Sequence, residues 1–152
     1  LHSIHNAPAG HWSVLTGNGL ANTAISGATR TFAHGLLEAL VQCAAEQRPV
    51  LFVAYDTAAV GTLTHTATSQ GALAAALILS PQPGPNTCAK LDWRLAPGDA
   101  GAPTPKSPAA LALSGNAMAA ALPLFEALAL AGPARLCWPL SGHQSIQLNL
   151  TA

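Results

Sequence analysis

The sequence predicts an α/β protein in which helices pack on a layered mixed sheet, and two patterns support this fold class. Apolar residues between positions 32 and 44 recur at spacings of three and four, which makes one stripe along a helix. Pro49 ends that region, and the apolar run VLFVAY at 50–55 is typical of a strand covered on both faces. With a further strand expected at 22–25, the order strand, helix, strand predicts a right-handed βαβ unit.

The junction at 25–29 is polar and contains a glycine, and it lies where the first strand would pass into the helix. In α/β proteins such a junction holds a nucleophile or binds an anion. Ser26, Thr29 and Thr31 are all candidates for the helix N-cap.

The elements before and after this unit follow from local signals. Residues 5–16 are expected to form a short helix with Pro8 in its first turn, followed by a Gly-Asn-Gly turn at 17–19. Residues 58–71 are small and polar and predict a loop. Strands are expected at 71–80, buried on both sides, and at 89–95, and together they would form a hairpin.

The last third of the chain begins with a proline- and glycine-rich stretch at 97–108, which is expected to be a mobile connection. Asn116 can cap a helix that runs through 131 and stops at Gly132-Pro133. The alternating segment 145–150 predicts a final strand at a sheet edge.

Composition limits the possible functions. The 152 residues suffice for a single domain, and half of them are apolar. Six basic and six acidic residues give no net charge, which argues against a nucleic acid partner or an anionic membrane surface. We find no signal peptide and no membrane-spanning segment, and the three cysteines, an odd number, suit a reducing compartment, so a cytoplasmic location is expected.

Two segments carry a resemblance to a known family. The residues HNAPAGHWSVLTGNGLANTAISGATRTFAHGLLEAL and VLFVAYDT resemble the N-terminal half of the β-ketoacyl synthases, in particular the short N-terminal-like proteins of fatty-acid-type and aryl-polyene gene clusters. The resemblance implies a thiolase-like half that lacks its N-terminal portion. In the catalytic family, a segment similar to 5–10 packs near the active site, and a strand resembling 22–25 delivers a nucleophilic cysteine onto a tight turn.

This chain departs from the family at the nucleophile. The cysteine would fall at Ile25 or Ser26, and neither residue is a cysteine. Ile25 cannot attack a thioester, and the Ser26 hydroxyl is a weak nucleophile without an adjacent base. No segment resembles the half of the family that carries its two catalytic histidines. We therefore expect condensation chemistry to be lost, and the chain by itself is more consistent with a non-catalytic protein.

Candidate site residues follow from the resemblance. Ser26 stands at the position of the lost nucleophile, together with Ile25, and the expected substrate-binding residues are His5, Asn6, Gly27 and Phe32. No cofactor is expected.

Three further candidate sites were weighed on the residues themselves. His2, His5 and His11 lack a metal-ligand pattern, so no metal site is expected. Asp56 ends a strand but has no carboxylate partner. Cys43 lies late in the helix, where a thiolate is disfavoured.

Three functions remain open on the sequence. The first is a non-condensing subunit, comparable to a chain-length factor, that pairs with a ketosynthase or with itself through residues 50–55 and the small residues around Ala24, and that could also bind an acyl carrier protein. The second is an acyl-thioester transferase or hydrolase in which Ser26 is served by His5, His11 or His34. The third is a structural remnant without a ligand. Nucleic acid binding and membrane insertion are not expected.

Overall fold

The computed structural model describes residues 6–65 and 69–151. Four α-helices and five strands lie in these ranges. In chain order they are α1 (Ala7–Thr16), α2 (Thr31–Glu46), β1 (Val50–Thr57), β2 (Ala72–Leu79), β3 (Lys90–Pro97), α3 (Pro108–Leu111), α4 (Leu122–Leu130), β4 (Ala134–Pro139) and β5 (Gln144–Thr151). Short 3₁₀ turns precede α2 and α4 and follow β1. The α/β class predicted from the sequence is confirmed.

The strands form two antiparallel sheets, one with β1 and β2 and one in the order β3-β5-β4. The predicted βαβ unit is wrong for the described residues, because residues 22–25 form neither a helix nor a strand and belong to no sheet. The predicted hairpin is also wrong, since β2 pairs with β1 while β3 pairs with β5. The last strand is central in its sheet and not at an edge, because β4, which the sequence analysis missed, pairs with its other side.

Both sheets bury one face against a shared core. Phe32 of α2 packs on Phe52 of β1 and on Trp138 of β4, with ring centroids 5.9 and 5.5 Å apart. Gly35 allows α2 to approach β1 closely, because a Cβ there would lie 3.1 Å from the Phe52 ring. The indole N–H of Trp138 donates to the carbonyl of Ala120, which satisfies its one polar group inside the core.

The outer face of the β1-β2 sheet differs from the sequence prediction. Both strands were expected to be covered on both faces, but their burial alternates residue by residue. Leu51, Val53 and Tyr55 of β1 are about half exposed, and Ile78, which pairs with Leu51, is 75% exposed. The apolar runs of β1 and β2 therefore did not distinguish a strand that is buried on both faces from a strand with one exposed apolar face.

The helix ends agree with the sequence in part. Gly17 closes α1 in the left-handed conformation, and the Asn116 side chain accepts from the N–H of Met118 at the start of the turn that leads into α4. None of the three predicted N-caps serves α2, whose N-cap position is Arg30 without a side-chain bond.

The 97–108 connection is attached at both ends. Near its start, Asp99 lies 3.9 Å from the Arg30 side chain. At its end, the carboxylate of Glu126 accepts the backbone N–H groups of Lys106 and Ser107 at 2.6 to 3.1 Å. The pKa of Glu126 is lowered, first by hydrogen bonding of the Ser107 side chain to the carboxylate and next by the bond from the Ser107 backbone N–H. The mobility of the connection stays a prediction.

Candidate functional site

The polar junction ahead of α2 forms a tight turn that lies against the helix. The Thr31 hydroxyl accepts from the N–H of Gly27 at 2.9 Å and donates to the carbonyl of Ala28 at 2.8 Å. Ala28 has a φ of 51°, a left-handed conformation that is unfavourable for a residue with a Cβ. The turn therefore holds Ser26 in place at some conformational cost.

The extended segment before the turn is fixed along the same side of α2. Gln42 donates to the hydroxyl of Thr23 at 3.1 Å and to the carboxylate of Glu38 at 2.8 Å. Because Glu38 and Gln42 are one helical turn apart, they and His34 share one face of α2. The segment and this helix face form the two walls of a cleft.

The cleft has a volume of about 360 Å³ and is open to solvent. The two predicted nucleophile positions, the adjacent glycine and three residues of α2 line it: Ile25, Ser26, Gly27, His34, Leu37 and Glu38. The cleft thus contains Ser26 and Gly27, two of the predicted site residues, together with an imidazole and a carboxylate from α2.

His34 packs directly on the turn. A Cβ built on Gly27 would lie 3.0 Å from Cδ2 of His34, which is tighter than most real Cβ contacts and would push the imidazole back by a few tenths of an ångström. Glycine at 27 therefore lets the imidazole approach the backbone next to Ser26. In the part of the chain that the structure describes, Ser26 makes no hydrogen bond to His34. The cleft thus contains a hydroxyl and an imidazole, two groups used in acyl transfer, but no hydrogen bond joins them.

The other predicted site residues that the structure describes, Asn6 and Phe32, are not among the residues that line the cleft. Phe32 is 2% exposed and faces the core, away from the residues that line the cleft. Asn6 is exposed and directly precedes α1, and its side chain makes no capping bond. His5 and His2 lie outside the described residues. His11 is on α1. Of the two considered bases that the structure describes, His11 and His34, it is His34 that lines the cleft.

The three cysteines do not replace the missing nucleophile. Cys43 is buried on α2, and burial raises the pKa of its thiol, which disfavours the reactive thiolate. Cys88 is in the exposed loop before β3, and Cys137 is on β4. None of the three lines the cleft.

The sequence analysis gave too little weight to two polar residues as possible functional groups, Glu38 and Asp56. Glu38 was not singled out, although its spacing of four from His34 indicates a shared helix face. Asp56 points into the molecule from β1, and its Oδ2 is buried with no hydrogen-bond partner among the described residues. Within the described ranges, no three histidine, cysteine or carboxylate side chains lie close enough to hold a metal ion.

Comparison with known families agrees with the resemblance. The family described as Beta-ketoacyl synthase, N-terminal domain, matches residues 2–132, which is most of the chain. No curated protein and no solved structure matches. In the described residues, every helix is too short or too polar to cross a bilayer. The chain belongs to the β-ketoacyl synthase N-terminal domain family, and its helices with two antiparallel sheets are consistent with a thiolase-like half-domain.

Proposed function

We propose that this member of the β-ketoacyl synthase family is a non-condensing partner subunit that binds a ketosynthase-like subunit or a second copy of itself. The observation that carries the proposal is the uncovered apolar face of the β1-β2 sheet. We place the protein in fatty-acid or polyketide biosynthesis of the aryl-polyene type, in the cytoplasm, with an acyl carrier protein as a further partner. These assignments rest on the family resemblance.

The site supports the non-condensing part of the proposal. Ile25, Ser26 and Gly27 line the cleft, and by resemblance this turn corresponds to the one at which the catalytic family carries its cysteine. A hydroxyl has a far higher pKa than a thiol, so it is not converted to the anion by a helix N-terminus alone. The turn can thus be kept for its shape while condensation is lost.

The sheet face supports the partner part of the proposal. The register of β1 and β2 places Leu51 beside Ile78, Val53 beside Ala76 and Tyr55 beside Ala74, so the apolar residues form one continuous patch. Such contiguous apolar surface is typical of an interaction site on a soluble protein. The sequence analysis had placed the interface at 50–55 by resemblance alone.

A charged substitution in the patch tests the proposal. Val53→Glu places a carboxylate on a side chain that is already 49% exposed, so we expect the free energy of unfolding to change by less than about 1 kcal/mol. Association should be lost, because a buried unpaired charge is strongly unfavourable at an interface. The measurement is capture of partners from the native extract, identified by mass spectrometry, together with sedimentation velocity of the purified protein.

Leu130→Glu is the matched control. Leu130 is 82% exposed at the end of α4, outside the patch, and should leave association intact. If Val53→Glu retains a ketosynthase or a self-dimer as well as the control does, the patch is not the interface.

The cleft favours one alternative function, an acyl-thioester transferase or hydrolase. In that reaction the Ser26 hydroxyl attacks the thioester carbonyl, the thiol leaves, and His34 accepts the hydroxyl proton and returns it to the thiolate. A rotation of the Ser26 or His34 side chain is needed first, since the two are not hydrogen-bonded in this structure.

Intact-mass analysis after incubation with a short acyl thioester distinguishes the two functions. An acyl adduct that disappears in both Ser26→Ala and His34→Gln would establish the acyltransferase. An unmodified protein that still captures its partner supports the non-condensing subunit.

A further inference from the structure

The outer face of the β3-β5-β4 sheet concentrates positive charge. Three of the six basic residues of the chain project from it, Lys90 and Arg94 on β3 and Arg135 on β4. The one acidic residue in these rows is Asp92, which lies 3.5 Å from Lys90. Arg94 and Arg135 have no carboxylate within ion-pair distance in the described ranges. A chain of zero net charge thus carries two uncompensated guanidinium groups on one sheet face.

The two guanidinium groups converge on a single neutral atom. Arg94 donates to Oε1 of Gln147 from Nε at 3.1 Å and from Nη2 at 2.9 Å, and Arg135 donates to the same oxygen from Nη2 at 3.1 Å. The register explains this, because Gln147 is on the central strand directly opposite Arg94, and Arg135 is on the other neighbouring strand. An amide oxygen has two lone pairs and no charge, so three donors exceed its capacity and their mutual repulsion stays uncompensated.

We propose that Arg94 and Arg135 form a binding site for a phosphate group. A phosphate has at least three free oxygens and can accept hydrogen bonds from both guanidinium groups at once, whereas the two oxygens of a carboxylate are taken up by one guanidinium fork. Gln147 then marks where the first anionic oxygen lies, and its side-chain amide becomes a donor to the ligand. The phosphate can be the free ion or a monoester on a larger molecule. The site is on a different sheet from the apolar patch and does not depend on the proposed function.

The test is a titration of the protein with inorganic phosphate at neutral pH, followed by the NMR signals of the arginine Nε–H groups. Sodium chloride at matched ionic strength is the reference. We expect saturable shifts of the Arg94 and Arg135 signals, and about tenfold weaker binding in Arg94→Gln or Arg135→Gln. Glycerol phosphate provides the second arm: a monoester that binds about tenfold more tightly than the ion indicates a carried phosphate, and equal binding indicates the free ion.

Arg48→Gln is the matched control, because Arg48 pairs with Glu46 on the surface at the end of α2. It should bind phosphate as the unchanged protein does. All three substituted side chains are exposed, and circular dichroism verifies that the variants fold. A shift that does not saturate, that sodium chloride reproduces, or that Arg48→Gln weakens as much as Arg94→Gln would overturn the proposal.

Discussion

The two sheets bury their inner faces in the same core but present opposite chemistry to the outside. The outer face of β1-β2 is apolar, with Leu51, Val53, Tyr55 and Ile78 largely exposed. The outer face of β3-β5-β4 carries arginines, a lysine and amides. Stability requires only the inner faces to be apolar, so the outer faces are free to differ. On the two proposals made above, this difference reflects binding of a partner protein at one sheet and of an anion at the other.

The inner faces differ in degree. On the three-stranded sheet, Ile146, Leu148 and Leu150 of the central strand are at most 2% exposed. On the two-stranded sheet, the inward residues Leu73, Leu77 and Leu79 are only partly buried. A central strand has neighbours on both sides, while each strand of a pair has one open edge. The three-stranded sheet should accordingly contribute more to the stability of the fold.

The largest effect tests that difference. Leu148→Ala removes a fully buried side chain that lies between Trp93 and Leu136, and should lower the free energy of unfolding by about 3 to 4 kcal/mol. Leu77→Ala makes the same chemical change opposite Phe52 on the other sheet, where partial exposure reduces the cost to about 1 to 2 kcal/mol. Urea denaturation measures both, and equal losses would contradict the ranking.

The sequence predicted where the helices and strands lie better than it predicted which strands pair with each other. Periodicity located α2, β3 and β5, because each buries one stripe or one alternating row. Continuous apolar runs located β1 and β2, but as strands buried on both faces. Neither pattern indicated which strands pair, since β2 and β3 are neighbours in sequence but belong to different sheets. β4 was missed because the ARLCWP segment, which contains an arginine and a proline, does not show strict alternation of polar and apolar residues. Pairing depends on long-range packing, which local patterns do not contain.

Of the candidate site, the sequence predicted mainly the loop at 25–29. The glycine-bearing junction at 25–29 was recognised from its position between a predicted strand and a helix. Of the facing wall of the cleft, His34 was named only as one of three possible bases and Glu38 was not named, because both become neighbours of Ser26 only when the segment before the turn folds back along α2. The contact that reveals this packing joins Thr23 to Gln42, 19 residues apart.

A smaller effect concerns the connection that follows β3. The pKa of Glu126 is lower in the folded protein than its ordinary value of 4.5. The carboxylate therefore stabilises the fold at pH values above 4.5, and this contribution is lost as the pH falls through the lowered pKa of the folded state. We expect Glu126→Gln to lower the melting temperature at neutral pH and to lose that difference progressively in acid. Glu46→Gln, which removes a surface pairing with Arg48, is the control and should show little change. A pH-independent difference for Glu126→Gln would contradict this.

The smallest effect returns to the turn beside Ser26. Ala28 and Ala131 have φ values of 51° and 48°, a conformation in which glycine is favoured. Ala28→Gly and Ala131→Gly should therefore each raise the free energy of unfolding by about 0.5 to 1 kcal/mol. Ala131 ends α4, far in sequence from the cleft, so only Ala28→Gly should also slow amide hydrogen exchange at residues 27–30. A loss of stability in Ala28→Gly, with the expected gain in Ala131→Gly, would show that the turn has another conformation in solution.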